Sequence, residues 1–250
     1  AALSVRLGEW ILRRAEGRIQ KAHPGAVFSR RRERTTVSPF ARGASFYSIL
    51  LLFFIGGVAG DLAETIFCRL KMGWWMSRSS VIYGPFSIVW GLGCAFLTLL
   101  LYRYRNKSDG SIFLAGTLLG GAYEYICSVF TEIVFGTVFW DYSDIPFNLG
   151  GRINLLYCFF WGFAAVAWFK IFYPPVSRLI EKIPVKIGKI ITWLLIIFML
   201  ADGIISSAAL ARYNARSNGI EAANSFESWV DEHFDDGRMA QVYPKAKKVD

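Results

Sequence analysis

Two histidines and four cysteines are all that 250 residues offer for metal or thiol chemistry. His23 and His233 lie in the two tails, so neither a histidine triad nor a histidine-held metal is expected among the apolar segments. Cys68, Cys94, Cys127 and Cys158 each sit inside an apolar run, and no CxxC pair occurs. That excludes a zinc ribbon and a disulfide framework and leaves small apolar packing residues. No metal site and no cofactor is expected. The phosphate-loop pattern GxxxxGK[ST] is missing, so this chain cannot hydrolyse ATP by itself. Charge is scarce too, at 19% of residues where about a quarter is usual. No low-complexity tract and no internal repeat is visible, which argues against a two-fold transporter duplication.

What remains is apolar. Hydrophobic residues make up 54% of the chain, and the mean hydropathy is +0.36. The 16% aromatic content suits side chains at membrane interfaces. A net charge of +9 raises the question of nucleic acid. The positive residues lie between long apolar runs, which points to membrane topology, and no nucleic-acid partner is expected. Five runs approach the roughly 20 residues needed to cross a bilayer, near 46–70, 83–103, 112–136, 153–173 and 190–210. The expected fold is an all-α integral membrane protein of about five transmembrane helices. The first run follows a long basic stretch and is not a cleavable signal peptide. Gly116, Gly120 and Gly121 in the third run have the small-residue spacing that lets membrane helices approach closely.

Lysine and arginine set the orientation. Arg30, Arg31, Arg32, Arg34 and Arg42 precede the first run; Arg103, Arg105 and Lys107 follow the second; Lys170, Arg178, Lys182, Lys186 and Lys189 follow the fourth. The connections between them hold only Lys71, Arg78 and Arg152. The expectation is a cytoplasmic N-terminus, an outside C-terminus and a multi-pass protein of the bacterial cytoplasmic membrane, in contact with membrane lipids. Three parts follow: a basic amphipathic segment over 1–42, a transmembrane domain over 43–212 and an extracytoplasmic tail over 213–250. In that tail "SFESWVDEHF" has helical spacing, with its acids opposite an apolar stripe.

Ionisable residues inside a membrane are costly, and they mark paired or functional sites. Asp61 and Glu64 share a face of the first helix, and Glu64 lies roughly 9 Å below its outer end at about 1.5 Å per residue. Glu124 and Glu132 share a face of the third helix, and Asp202 sits in the outer half of the fifth. Arg69, Arg78, Tyr83, Arg152 and Asn154 fall near the same outer level. This convergence predicts either a polar cavity open outward or a set of structural Glu–Arg pairs. "WDYSDIPFNLGGRINL" (140–155) reads as an outer loop that dips back toward the same place, with Trp140 and Tyr142 in an interfacial belt. Its Asp141, Asn148, Arg152 and Asn154 join Asp61, Glu64, Arg78, Tyr83, Glu124, Glu132 and Asp202 as candidate substrate-binding residues. Arg152 either holds an anion at a helix N-terminus or pairs with a carboxylate.

The same strings carry a resemblance. "GDLAETIFC" (60–68), "YGPFSIVWGLG" (83–93), "EYICSVFTEIVF" (124–135), "WDYSDIPFNLGGRINL" (140–155), "FFWG" (159–162) and "DEHFDDGRMAQVYP" (231–244) resemble the bacterial type IV ABC-transporter family of CmpB-like permeases. The likeness covers roughly 45–245. One departure is Asp61 with Ala63 before Glu64, where the family often has a tryptophan-containing "GWxxES"-like stretch; Glu64 keeps the acidic position. The resemblance implies a transport protein, with a homo-oligomer or a separate ATPase subunit as partner. Two other readings stand beside it. An integral-membrane enzyme at the outer leaflet would use Glu64, Glu124 or Glu132 as general base, and Arg152 with Arg78 or Arg69 to hold a lipid phosphate. A non-catalytic membrane partner would bind another protein through its C-terminal helix.

Overall fold

The structure is a computed structural model, and it describes residues 40–244 and 246–248. The basic segment expected over 1–42 lies, except for its last three residues, outside the described residues. The chain runs α1 (Phe46–Met72), α2 (Ile88–Leu101), α3 (Asp109–Phe135), β1 (Thr137–Val138), β2 (Asn148–Leu149), β3 (Ile153–Asn154), α4 (Leu155–Ala167), α5 (Tyr173–Glu181), α6 (Val185–Ser217), α7 (Ser225–His233), α8 (Asp236–Val242) and β4 (Lys247–Lys248). It is an all-helical fold with two-residue strands in its loops. β1 pairs antiparallel with β4, and β2 with β3.

Among the described residues, four helices are long and apolar enough to cross a membrane: α1, α3, the continuous run Leu155–Glu181 and α6. The helix boundaries follow from local chemistry. Gly73 and Gly136 end α1 and α3 in the left-handed conformation and return their N–H groups to the last turn. Ser87, Ser108 and Asn154 cap α2, α3 and α4 with side-chain oxygens. Pro174 and Pro175 remove two donors from the fourth run. The helix passes them by widening into a π turn over Trp168–Phe172, and so continues well beyond the end expected at 173.

The second apolar run departs from expectation. Its helix starts at Ile88, not 83, and with the 3-10 turn Tyr102–Tyr104 it is about 27 Å long, short of the ~30 Å hydrocarbon. The missing turn is a closed loop. Gly84, at φ +96, turns the chain; Ser80 N–H donates to Phe86 O at 2.8 Å; Ser79 Oγ lies 2.9 Å from both Val81 O and Gly84 O. Polar backbone at this depth is tolerated because its groups bond to one another.

Polarity is arranged for lipid. Large apolar side chains such as Leu70, Leu118, Ile133 and Ile204 are exposed, while Asp61, Thr98, Glu124, Thr192, Asp202 and Ser206 are buried. At one end of the bundle the loops 73–87 and 136–154 meet the C-terminal segment, where Tyr243 OH donates to Ser80 O and Asn214 Nδ2 donates to Phe135 O. We call this the loop end. At the other, basic end Lys170 pairs with Asp109 at 3.1 Å and the Tyr102 and Tyr173 rings meet.

The C-terminal segment folds back as a cap. α7 and α8 bury Val230, Phe234, Met239 and Tyr243 against Ala209 and Leu210 of α6. Two of the three acids of α7 do not face away as the sequence pattern predicts, while Glu232 stays exposed. Glu227 and Asp231 meet Arg212, and Asp231 also meets Arg216. α6 extends past the membrane-length run and brings these arginines up to them. Phe226, Trp229 and His233 instead stack on the exposed side.

Candidate functional site

Glycine decides how the helices meet. A Cβ on Gly60 would collide with Trp90, and a Cβ on Gly120 with Trp161. Gly91 lies against Phe53, whose carbonyl is 2.7 Å from where its Cβ would be; Gly162 lies against Phe113, carbonyl at 2.8 Å. Gly56 meets Cys94, and Gly116 meets Ala165. These contacts are the same set, shifted by 60 residues from α1 to α3 and by 71 from α2 to α4. Each hairpin therefore packs backbone to backbone, with one tryptophan laid over a glycine. The internal repeat not visible in the sequence is present in the packing.

The repeat includes the acids. One turn beyond each glycine stands a glutamate, and each takes the indole N–H of its hairpin's tryptophan. Trp90 Nε1 donates to Glu64 Oε2 at 2.9 Å, and Trp161 Nε1 to Glu124 Oε2 at 3.2 Å. The two indoles meet between the hairpins with ring centroids 5.4 Å apart.

The second donor differs. In the first hairpin Arg78 of the following loop donates from Nε to Glu64 Oε1 at 2.7 Å and from Nη2 to the same oxygen. In the second, Tyr142 OH donates to Glu124 Oε1 at 2.7 Å. Glu124 is well inside α3, so the loop 136–154 does dip into the bundle. Tyr142 stacks on Tyr157 at 4.6 Å. Burial, and then the neighbouring Glu124 charge, push its phenol above the ordinary tyrosine range, so it stays a donor. Tyr142 and Trp140 were expected in an interfacial belt. Tyr142 turns inward, and Trp140 donates to Arg152 O at 2.9 Å.

Asp61 has no counterpart in this scheme. It is 3% exposed, and its Oδ1 has no hydrogen-bond partner. It lines a cleft of about 330 Å³ at the loop end, with Thr65, Ser77 and Ser79 as the other polar side chains. The equivalent place in the second hairpin is Gly121, where Cys158 Sγ stands 2.7 Å from an added Cβ. The second hairpin has filled what the first leaves open.

The other candidate residues divide plainly. Arg152 pairs with Glu132 and donates to Ser128 Oγ at 3.3 Å, so of its two sequence readings it adopts the carboxylate pair. Asp141 accepts from Ser143 N at 3.0 Å; Asn148 donates to Ile145 O and accepts from Gly151 N; Asn154 donates to Pro146 O and caps α4. These three shape the dipping loop. Asp202 Oδ1 accepts from Ser206 Oγ at 3.0 Å and from Tyr83 N at 3.3 Å, anchoring the 79–87 loop to α6. The Tyr83 side chain is exposed, with Arg238 over its ring. Arg69 stays local, donating to Gly73 O. So Asp61, Glu64 and Arg78 gather in one place, Glu124 lies behind the tryptophan pair, and Glu132, Arg152 and Asp202 form separate clasps.

A model of the family described as "Putative ABC-transporter type IV" matches residues 51–207. The chain belongs to this family. It is a multi-pass membrane protein of a transport-related kind, as the resemblance in its motifs implied. The match holds both hairpins with their glycines, tryptophans and glutamates, and α6 as far as Ser207; the C-terminal cap lies beyond it. No curated protein and no solved structure matches the chain.

Sequence reasoning found the acids, with Arg78 and Arg152 beside them, and missed the indole and phenol donors. Trp90 and Trp161 lie outside the predicted site, although both stand in a Trp-Gly dipeptide. The signal was there: Gly56, Gly60, Glu64 and Gly116, Gly120, Glu124 share one four-residue step.

Proposed function

We propose that this chain is a permease-like, membrane-embedded component of a transport system, and that its solute enters at the loop end through the cleft beside Asp61. The observation that carries this reading is Asp61 itself. A carboxylate so deeply buried, with an oxygen that no protein group meets, on the wall of a cleft, is expensive to keep. Asp202 also has an unpartnered oxygen, Oδ2, but its Oδ1 is held by Ser206 and Tyr83 N, away from the cleft lining. The family supports a separate ATPase subunit as partner. The basic end, with Arg103, Arg105, Lys107 and the Lys170–Lys189 stretch, is the surface we assign to the cytoplasm, with the loop end outside and the bacterial plasma membrane as the location.

The reading is tested by cysteine accessibility in a background lacking the four native cysteines. Thr65→Cys, in the cleft, should react with a membrane-impermeant maleimide in intact cells. Leu118→Cys, on the lipid face, should not. Labelling of Thr65→Cys only in inverted vesicles would reverse the orientation. Labelling in neither would remove the water-filled entrance and the proposal with it.

A further inference from the structure

We infer that the cleft beside Asp61 is a site for small organic cations, a primary ammonium group against the carboxylate with a short alkyl body behind it. The inference rests on the reading of that cleft as the solute entrance, and it adds the class of solute. Three observations carry it.

The first is the local charge. The charged groups facing Asp61 are Glu64 on its own helix and Arg78 on the loop above. Arg78 is committed to Glu64 through two donors, and Trp90 takes that glutamate's other oxygen. Glu64 and Arg78 cancel, which leaves the Asp61 carboxylate as the uncompensated charge of the cleft. A cation completes the balance, whereas an anion would meet two carboxylates and a guanidinium already taken.

The second is the unpartnered oxygen. Asp61 Oδ1 is buried with no donor from the chain, and Asp61 lines the cleft, so the cleft is the place from which a donor can reach this carboxylate. An ammonium brings three N–H donors and no acceptor. The hydroxyl of Ser77 on the same wall offers an acceptor for those that Asp61 does not take. Ser79 Oγ is less available, because its loop already holds it.

The third is the apolar side. Leu62, Val81, Ile82, Pro85 and Val242 make up much of the wall. A bare metal ion would gain nothing from them, while an alkyl chain would be desolvated against them. At about 330 Å³ the space is at the small end of ligand cavities, which run about 300–1,000 Å³. The second hairpin supplies a control. Gly121 and Cys158 occupy the matching place without an acid, so the helix packing does not require one.

The experiment uses the full chain in lipid nanodiscs, with n-alkylammonium chlorides from methyl to hexyl as probes and the matching alkylsulfonates as anionic controls. Two readouts are followed: the thermal midpoint of wild type, and the maleimide rate at Thr65→Cys. Butyl- or hexylammonium at about ten times its Kd should slow labelling about ten-fold and raise the wild-type midpoint. Sulfonates should do neither. Asp61→Asn should abolish both effects while remaining monodisperse and labelling at the unprotected rate. Equal protection by sulfonates, protection that survives Asp61→Asn, or no protection by any cation would overturn the cation site. In each of those cases continued labelling of Thr65→Cys would leave the water-filled entrance standing. Loss of labelling altogether would remove both.

Discussion

The two hairpins use one packing device for two purposes. In α1–α2 and in α3–α4 a tryptophan lies on a glycine, the next turn carries a glutamate, and the indole N–H closes on that glutamate. The skeleton is the same; the surroundings are not. The second hairpin closes its acid with the neutral phenol of Tyr142 and fills the neighbouring position with Cys158 on Gly121. The first closes its acid with the charged Arg78 and puts Asp61 where the other has glycine. The glycine–tryptophan contacts are the same in both copies, whereas the polar lining one turn away differs. The second hairpin meets its acid with its own side chains, and the first lines a cleft.

The strongest test of this equivalence is at the glycines. Gly60→Val and Gly120→Val should be the most damaging changes, and equally so. Each places its methyl groups against the root of an indole, which cannot swing away as the tip of a flexible side chain would. A cost of about 3 kcal/mol is expected for each from forced separation of the helices. It is read as a lowered thermal midpoint or as loss of the monodisperse peak in detergent. If one hairpin accepts valine and the other does not, the packing device is not shared.

The glutamates should separate the hairpins. Glu64→Gln leaves the Arg78 guanidinium partly buried without its carboxylate, and a loss of about 2–3 kcal/mol follows. The figure is held at that level because both side chains keep some contact with solvent, 18% and 26% exposed. Glu124→Gln leaves no charge stranded and keeps an oxygen for one of its two donors, so about 1 kcal/mol is expected. A Glu64→Gln, Arg78→Gln double variant should recover part of the first loss, as a double-mutant cycle in urea or by thermal melting measures. Equal costs for the two single variants would erase the distinction between a charged and a neutral closure.

Much of this was legible in the sequence, and what was not has physical reasons. Long apolar runs fix the helices because the hydrocarbon demands about 20 residues of internally bonded backbone. The dipping loop was readable from Pro146, Gly150 and Gly151 beside a polar string. The late start of the second helix was not, because residues 83–87 close a loop onto Ser79 and Ser80 that hydropathy alone reads as helix. The direction of the α7 acids was missed because Arg212 and Arg216 lie on a continuation of α6 beyond the membrane-length run. The repeat escaped notice because it lies in contacts. Between the hairpins only a few positions keep the same residue, and the α1-to-α3 step differs from the α2-to-α4 step because the chain from glycine to tryptophan is longer in the second hairpin.

At the position where the hairpins differ most, opposite signs are expected. Gly121→Ala should destabilise by about 1 kcal/mol, and Cys158→Ala should relieve it, since the Sγ is the atom in the way. Asp61→Leu should stabilise by a similar amount, about 1 kcal/mol, because it removes a buried carboxylate whose oxygen lacks a partner and leaves an apolar group in its place. Thermal midpoints in nanodiscs read both. A destabilising Asp61→Leu would mean that the acid serves the packing after all, and the two hairpins would then be closer in purpose than their linings suggest.

The smallest effect is expected outside both hairpins, in the cap, whose ion pairs join α7 to the last turns of α6. Hydrogen bonds from Arg212, and then Arg216, hold the Asp231 carboxyl below its ordinary value. A depressed folded pKa contributes stability that is complete above the unfolded value, about 3.9, and is lost as pH falls through the folded one. The docking of α7 on α6 should therefore be flat from pH 8 to about pH 5 and weaken only in stronger acid. Amide exchange of Val230–Phe234, corrected for its intrinsic pH dependence, measures it. Asp231→Asn at neutral pH should raise exchange there to the acid level and cancel most of the remaining pH dependence. The amides of α1 and α3 should not respond, since Asp231 touches neither hairpin through the contacts that dock it. A response in α1 would instead couple the cap to the cleft, where Val242 already forms part of the wall beside Asp61.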